Sequence, residues 1–174
     1  IGDSESAVWD DTFNNTRRTD QDDKTTTDLL VGVTQIINRR MLMQFNYSYS
    51  MVDGYQTDPF KVLSVVNNDG LTQDYQYENR PDERTKQSLY WQTKYHFDNS
   101  IVDLSYRYMW DDWEITSHTV DSRWRLLLGD DSYLEPHFRY YQQSAAEFYQ
   151  PFLNAAAAVP QFASADYRIG EMDT

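Results

Sequence analysis

Residues 85–141 alternate polar and apolar side chains almost without a break, and a period of two restricts them to long β-strands with two unlike faces. In 85–97 the odd positions carry Leu89, Trp91, Tyr95 and Phe97, while the even ones carry Lys86, Ser88, Gln92, Lys94 and His96, with Tyr90 the one ring among them. After Asp98-Asn99 the even positions become apolar (Val102, Leu104, Tyr106, Tyr108, Trp110) and the odd ones polar (Asp103, Ser105, Arg107). Residues 117–128 set Val120, Trp124, Leu126 and Leu128 against Thr119, Asp121, Arg123 and Arg125. Residues 133–141 set Leu134, Phe138 and Tyr140 against Glu135, His137 and Arg139.

Two earlier runs behave alike. From Thr25 to Ile37 the residues Leu29, Val31, Val33 and Ile37 share a face, with Asp28, Gly32 and Thr34 opposite. After a tight turn at Asn38-Arg39, Met41, Met43, Phe45, Tyr47, Tyr49 and Met51 alternate with Gln44, Asn46, Ser48 and Ser50. Alternation restarts at Asp166-Tyr167-Arg168-Ile169, so six full strands and a seventh just begun are expected. Pro136 lacks a ladder donor and belongs near a strand start.

The connections alternate in length. Asn38-Arg39, Asp98-Asn99 and Gly129 to Asp131 are short; 52–84 and 142–164 are long, and 111–116 is intermediate. In an up-and-down sheet this collects the short turns at one end, the pattern of outer-membrane barrels with periplasmic turns and long outer loops. Most runs are about 9–13 residues, long enough to cross a membrane and longer than usual globular strands. The expected fold is therefore all-β: an antiparallel up-and-down transmembrane β-barrel, or part of one, in a bacterial outer membrane. An open six-strand sheet leaves two unpaired edges that lipid does not tolerate, so further strands from the same or other chains are expected. The chain would then be an internal piece of a longer barrel.

On that fold Met43, Phe45, Tyr47, Trp91, Leu104, Tyr106, Trp110, Trp124, Phe138 and Tyr140 face lipid, with the rings near strand ends forming girdles. Thr93 and Ser122 fall on this face and fit it less well. Lys86, Lys94, His96, Asp103, Arg107, Asp121, Arg123, Arg125, Glu135, His137 and Arg139 line the lumen. Six cations of the polar face (Lys86, Lys94, Arg107, Arg123, Arg125, Arg139) meet four carboxylates (Asp28, Asp103, Asp121, Glu135), although the whole chain carries −13. Such a mixed wall suggests cross-strand ion pairs filling a narrow lumen, or slight anion preference in a wide one. Val62–Val66 in the long loop 52–84 is either a strand or an apolar plug.

The acidic balance argues against nucleic acid, and no cysteine is present for a disulfide, thiolate or zinc-finger site. No apolar run reaches the length of a membrane helix, and no basic-then-apolar leader starts at Ile1. Residues 1–24 read as a polar acidic arm or loop; the spacing of a calcium loop is missing.

Several segments resemble one proteobacterial family. They are Asp58-Pro59-Phe60-Lys61 with Val62–Val66, Glu78-Asn79-Arg80-Pro81-Asp82-Glu83-Arg84 before a strand, Tyr106-Arg107-Tyr108, Asp111-Asp112-Trp113 and Ser117-His118-Thr119. Arg139-Tyr140-Tyr141-Gln142-Gln143 onward to Tyr149, and Ser164-Ala165-Asp166-Tyr167-Arg168, continue the likeness. The family is a group of Gram-negative outer-membrane proteins catalogued only as a domain of unknown function. What the resemblance implies is a barrel, with no activity, ligand or cofactor attached.

No nucleophile–base signature, phosphate loop or metal-ligand spacing stands out. His96, His118 and His137 are scattered, and a metal site from His96 with His137 has no third ligand nearby in sequence. Glu114 and Glu147 are the carboxylates an outer-loop hydrolase would use. The readings are thus a barrel for transport or scaffolding, an outer-membrane enzyme working from its loops, or a β-sandwich binding module.

Overall fold

The computed structural model describes residues 23–58, 60–129 and 132–174; most of the acidic segment 1–24, Pro59 and Asp130-Asp131 lie outside them. Among the described residues the fold is all-β, without an α-helix. Contacts divide it into two compact units.

One unit spans Asp28–Ser50, Thr85–Ala145 and Glu171–Thr174. It carries most of an eight-stranded sheet whose long strands are β1 (Lys24–Asn38), β2 (Met41–Gly54), β5 (Glu83–His96), β6 (Ser100–Asp111), β7 (Thr116–Leu127) and β9 (His137–Gln143). Two-residue strands β8 (Tyr133–Leu134) and β11 (Met172–Asp173) complete it. The order is β1-β2-β5-β6-β7-β9-β11, with β8 beside β7. Pairing is antiparallel throughout the registers from β5 to β11. The order ends at β1 and at β11, so the described strands form an open sheet and not a closed barrel.

The alternation explains the strands, and the turns explain the register. At the first turn Arg40 N–H donates to Asn38 Oδ1 at 2.8 Å, which places the two turn residues at Arg39-Arg40, one beyond the expected pair. Phe97 N–H donates to Ser100 O at 2.8 Å to close the next. Between β6 and β7, Asp111 Oδ1 accepts from Trp113 N–H (3.1 Å) and Ile115 N–H (2.9 Å), and Glu114 takes a positive φ of 64°. The expected single run 133–141 is broken into β8 and β9, because Pro136 has no N–H to donate; its carbonyl accepts Trp124 N–H at 3.1 Å instead.

The second unit comprises Met51–Arg84 and Ala146–Gly170 with the described residues up to Thr27. The two long connections are thus folded segments. Strands β3 (Val62–Val66) and β4 (Thr72–Tyr77) form a hairpin, and β10 (Leu153–Asn154) adds to β3 in parallel. Leu63, Leu153 and Ala163 make a small core with Val65 and Ala165. Val62–Val66 is therefore a strand packed within its own unit. Leu63 is buried there and Val65 packs partly buried against it, which weakens the exposure argument for a plug.

The restart of alternation at Asp166 is also corrected. Tyr167–Ile169 is a 3-10 turn, with Asp166 accepting Arg168 N–H as its cap, and strand pairing resumes only at β11. Local capping by a carboxylate overrides a four-residue apolar–polar pattern.

Candidate functional site

The registers sort the side chains of the large sheet onto two faces. Rows such as Lys94↔Asp103↔Arg123↔His137 and Ser105↔Asp121↔Arg139 run across one face. Rows such as Trp91↔Tyr106↔Val120↔Tyr140 and Thr93↔Leu104↔Ser122↔Phe138 run across the other.

The polar face is a network of cross-strand pairs. Lys94 Nζ lies 3.2 Å from Asp103, which also accepts Gln92 Nε2 at 2.6 Å. Asp121 takes His137 Nε2 at 2.7 Å and Arg123 Nε at 3.5 Å. Arg125 Nε donates to Glu135 at 2.6 Å and its guanidinium lies over the Tyr133 ring. Arg107 sits over Tyr90 at 5.4 Å from the ring centre. A groove of about 330 Å³ is lined by Tyr90, Gln92, Asp103, Arg107, Asp121 and Arg139, among others. Lys86 and His96 share the face by register but lie away from this groove, near opposite ends of β5.

The other face is aromatic and aliphatic, and it stands largely open. Phe45 is 49 % exposed, Trp124 49 %, and Phe138 62 %. Val31, Val33, Phe45, Leu89, Trp91 and Tyr106 line a continuous apolar groove. Tyr47 donates to Gln87 at 2.7 Å, Tyr108 stacks on Trp110 with centres 5.3 Å apart, and Tyr106 OH lies 2.6 Å from His118 Nδ1. Thr93 Oγ1, on the same face, is buried without a hydrogen-bond partner.

A third arrangement was not visible as a site in the sequence. In the unit built from the long connections, Glu78, Ser164 and Asp166 are essentially without solvent contact. Arg80 bridges Glu78 and Asp166 at 2.9 Å each. Lys61 reaches Asp166 at 2.6 Å, and Arg168 grips both Asp166 oxygens with its closest approach at 2.6 Å. Glu78 also accepts from Asp58 N–H at 2.7 Å and from Ser164 Oγ at 2.5 Å. Arg80 N–H donates to Thr57 Oγ1 at 3.0 Å.

Burial opposes the charge on Asp166. The hydrogen bonds from Arg168, Lys61 and Arg80 outweigh it and hold the carboxyl well below the usual carboxylate range. Arg168 is in turn held above its ordinary value by the same hydrogen bond and charge. Three cations (Lys61, Arg80, Arg168) face three carboxylates (Asp58, Glu78, Asp166), with Arg168 3.9 Å from Asp58. The paired charges clamp chain segments together, with Arg80 Nε buried among them without a hydrogen-bond partner.

The clamp joins Asp58 and Lys61, Glu78 and Arg80, and Ser164 to Arg168, which are three of the segments that carry the family resemblance. A family model described as "Protein of unknown function (DUF3570)" matches residues 3–174. The chain belongs to this family. No curated protein and no solved structure matches it. In this chain the resembling segments that lie in the connections are thus brought together by the clamp. The separations hid the clamp: Arg80 and Asp166 are 86 residues apart, and each acid alone looks like a solvated loop charge.

Among the described residues no group of three His, Cys, Asp or Glu side chains is placed to hold a metal. His137 is engaged by Asp121, and His118 by Tyr106, on opposite faces of the sheet.

Proposed function

We propose that the large sheet is the wall of an outer-membrane β-barrel whose charged face borders a water-filled lumen and whose aromatic face meets lipid. The observation that carries this reading is the pairing of an open apolar face with a cross-linked ionic face on the same long strands. Large contiguous apolar surface is rarely left bare in a water-soluble fold. Strands of 12 to 15 residues are longer than the roughly 9–11 a tilted strand needs to cross the hydrocarbon core.

Two further features support it. Short connections join β1 to β2, β5 to β6 and β7 to β8, while those from β2 to β5 and from β9 to β11 are long and folded, as in barrels with short periplasmic turns. Rings with polar tips, Tyr108 and Trp110, lie toward the end of β6 away from its short turn, where a girdle would sit. The open edges at β1 and β11 are closed by further strands of the same or another chain. The role is transport or scaffolding, with ion pairs occupying much of the lumen.

Membrane fractionation tests the proposal. The protein should sediment with outer membranes, resist alkaline carbonate, and need detergent to stay monodisperse. A protein released by carbonate and monodisperse in buffer alone would refute it.

A further inference from the structure

We infer that Arg107 and Arg139 form an oxyanion-binding subsite on the polar face, for a small solute carrying a phosphate or carboxylate group. The inference rests on the reading of that face as the water-filled side. Its charge balance carries the argument. Asp103 is taken by Lys94 and Gln92; Asp121 by His137 and Arg123; Glu135 by Arg125. The fourth carboxylate, Asp28, lies on β1, three strands from β6, and among the described residues neither Arg107 nor Arg139 lies within ion-pair distance of an acid. Arg107 has only the Tyr90 ring beneath it.

The two arginines occupy the strands on either side of β7. Arg107 is level with Thr119 and Arg139 with Asp121, two positions along the same strand. They are thus two strand spacings apart, about 10 Å across the sheet, a span two arginine side chains can close over a ligand. Both line the 330 Å³ groove, whose walls carry three guanidinium groups against two carboxylates already engaged. Thr119 supplies a hydroxyl between them, and Ser105 a second one beside it. A guanidinium offers paired N–H donors that match the spacing of two oxygens on one phosphate or carboxylate. Two such forks, a hydroxyl floor and surplus positive charge select a compact oxyanion, and the volume is at the small end of ligand sites.

The test is titration calorimetry of the detergent-solubilised full chain with inorganic phosphate and, separately, with acetate. Arg107→Gln and Arg139→Gln should each weaken binding about tenfold, the loss expected for one charge-assisted contact. Arg40→Gln, in the turn and paired with Asp98, should bind as the parent does. Arg107→Lys keeps the charge and should lie between. An unchanged far-UV β signal shows that the variants fold. Weakening for phosphate alone, or acetate alone, supports the site and names its source. Absent binding of both anions, or equal binding by the parent and both Gln variants, overturns it. A protein monodisperse without detergent would remove the membrane reading, while the titration would still report on the arginines.

Discussion

Placing arginine at successive depths on one face of β6 separates a lipid-facing wall from a packed protein core. Leu104 lies four residues from the short-turn end of β6, between Thr93 and Ser122. At about 3.3 Å per residue and a tilt near 40°, it sits about 10 Å along the normal from that end, close to the middle of a roughly 25 Å apolar band. Val102, two residues from the end, sits at about 5 Å, near the boundary. Arginine at the midplane costs about 2–4 kcal/mol and near an interface about 0–1 kcal/mol. Leu104→Arg should therefore lower the folded-to-unfolded ratio by about 30-fold to 700-fold, and Val102→Arg by less than about tenfold. Ser105→Arg points to the ionic face opposite Asp121 and should stay within about 1 kcal/mol. Urea titration of folding into lipid vesicles, read by tryptophan fluorescence, measures all three. Equal damage at 102 and 104, or greater damage from Ser105→Arg, would refute the assignment of faces and depth.

The clamp yields a second prediction: Asp166→Asn strands Lys61, Arg80 and Arg168 around a lost charge, costing that unit about 3–5 kcal/mol, seen as faster hydrogen exchange at residues 57–61 and 164–168. In the intact protein Asp166 stays ionised far below its unfolded pKa of about 3.9. Its stabilisation should thus be complete above that pH and fade as acid is added below it, which hydrogen exchange as a function of pH would follow. Gly54 has φ +107°, and an added Cβ would lie 1.9 Å from the Asp23 carbonyl, so Gly54→Ala should lower the unfolding temperature, whereas Gly70→Ala, with open space around it, should do so less. A cysteine placed at Asp69 should react with an impermeant maleimide on intact cells and one at Asn99 should not; the opposite pattern reverses the orientation.

The large sheet was legible because its long strands write their two faces into every second residue. The registers of β5, β6, β7 and β9 keep the expected sets together, Leu104 with Phe138 and Asp103 with Arg123. Strand β4 was hidden because Thr72–Tyr77 is almost wholly exposed and its alternation is confined to Tyr75 and Tyr77; it pairs with β3 along the backbone. The turn at Tyr167 imitated a strand because period-two patterns four residues long also fit a capped turn. The clamp was illegible for a different reason. Its acids and bases are adjacent only in space, and composition alone favours solvating each of them. The surplus of cations on the polar face could be counted from the sequence, but which two lacked partners emerged only from the pairing distances.

If one face of the sheet meets lipid and the other meets water, nitroxide scanning along β6 reads the difference residue by residue. Spin labels at residues 102 to 108 of the protein in lipid vesicles are read for collision with oxygen, which concentrates in lipid, and with a water-soluble nickel chelate. Strict alternation is expected: oxygen dominates at 102, 104, 106 and 108, and the nickel chelate dominates at 103, 105 and 107. Equal access of the nickel chelate to both sets, or no period of two, would contradict it.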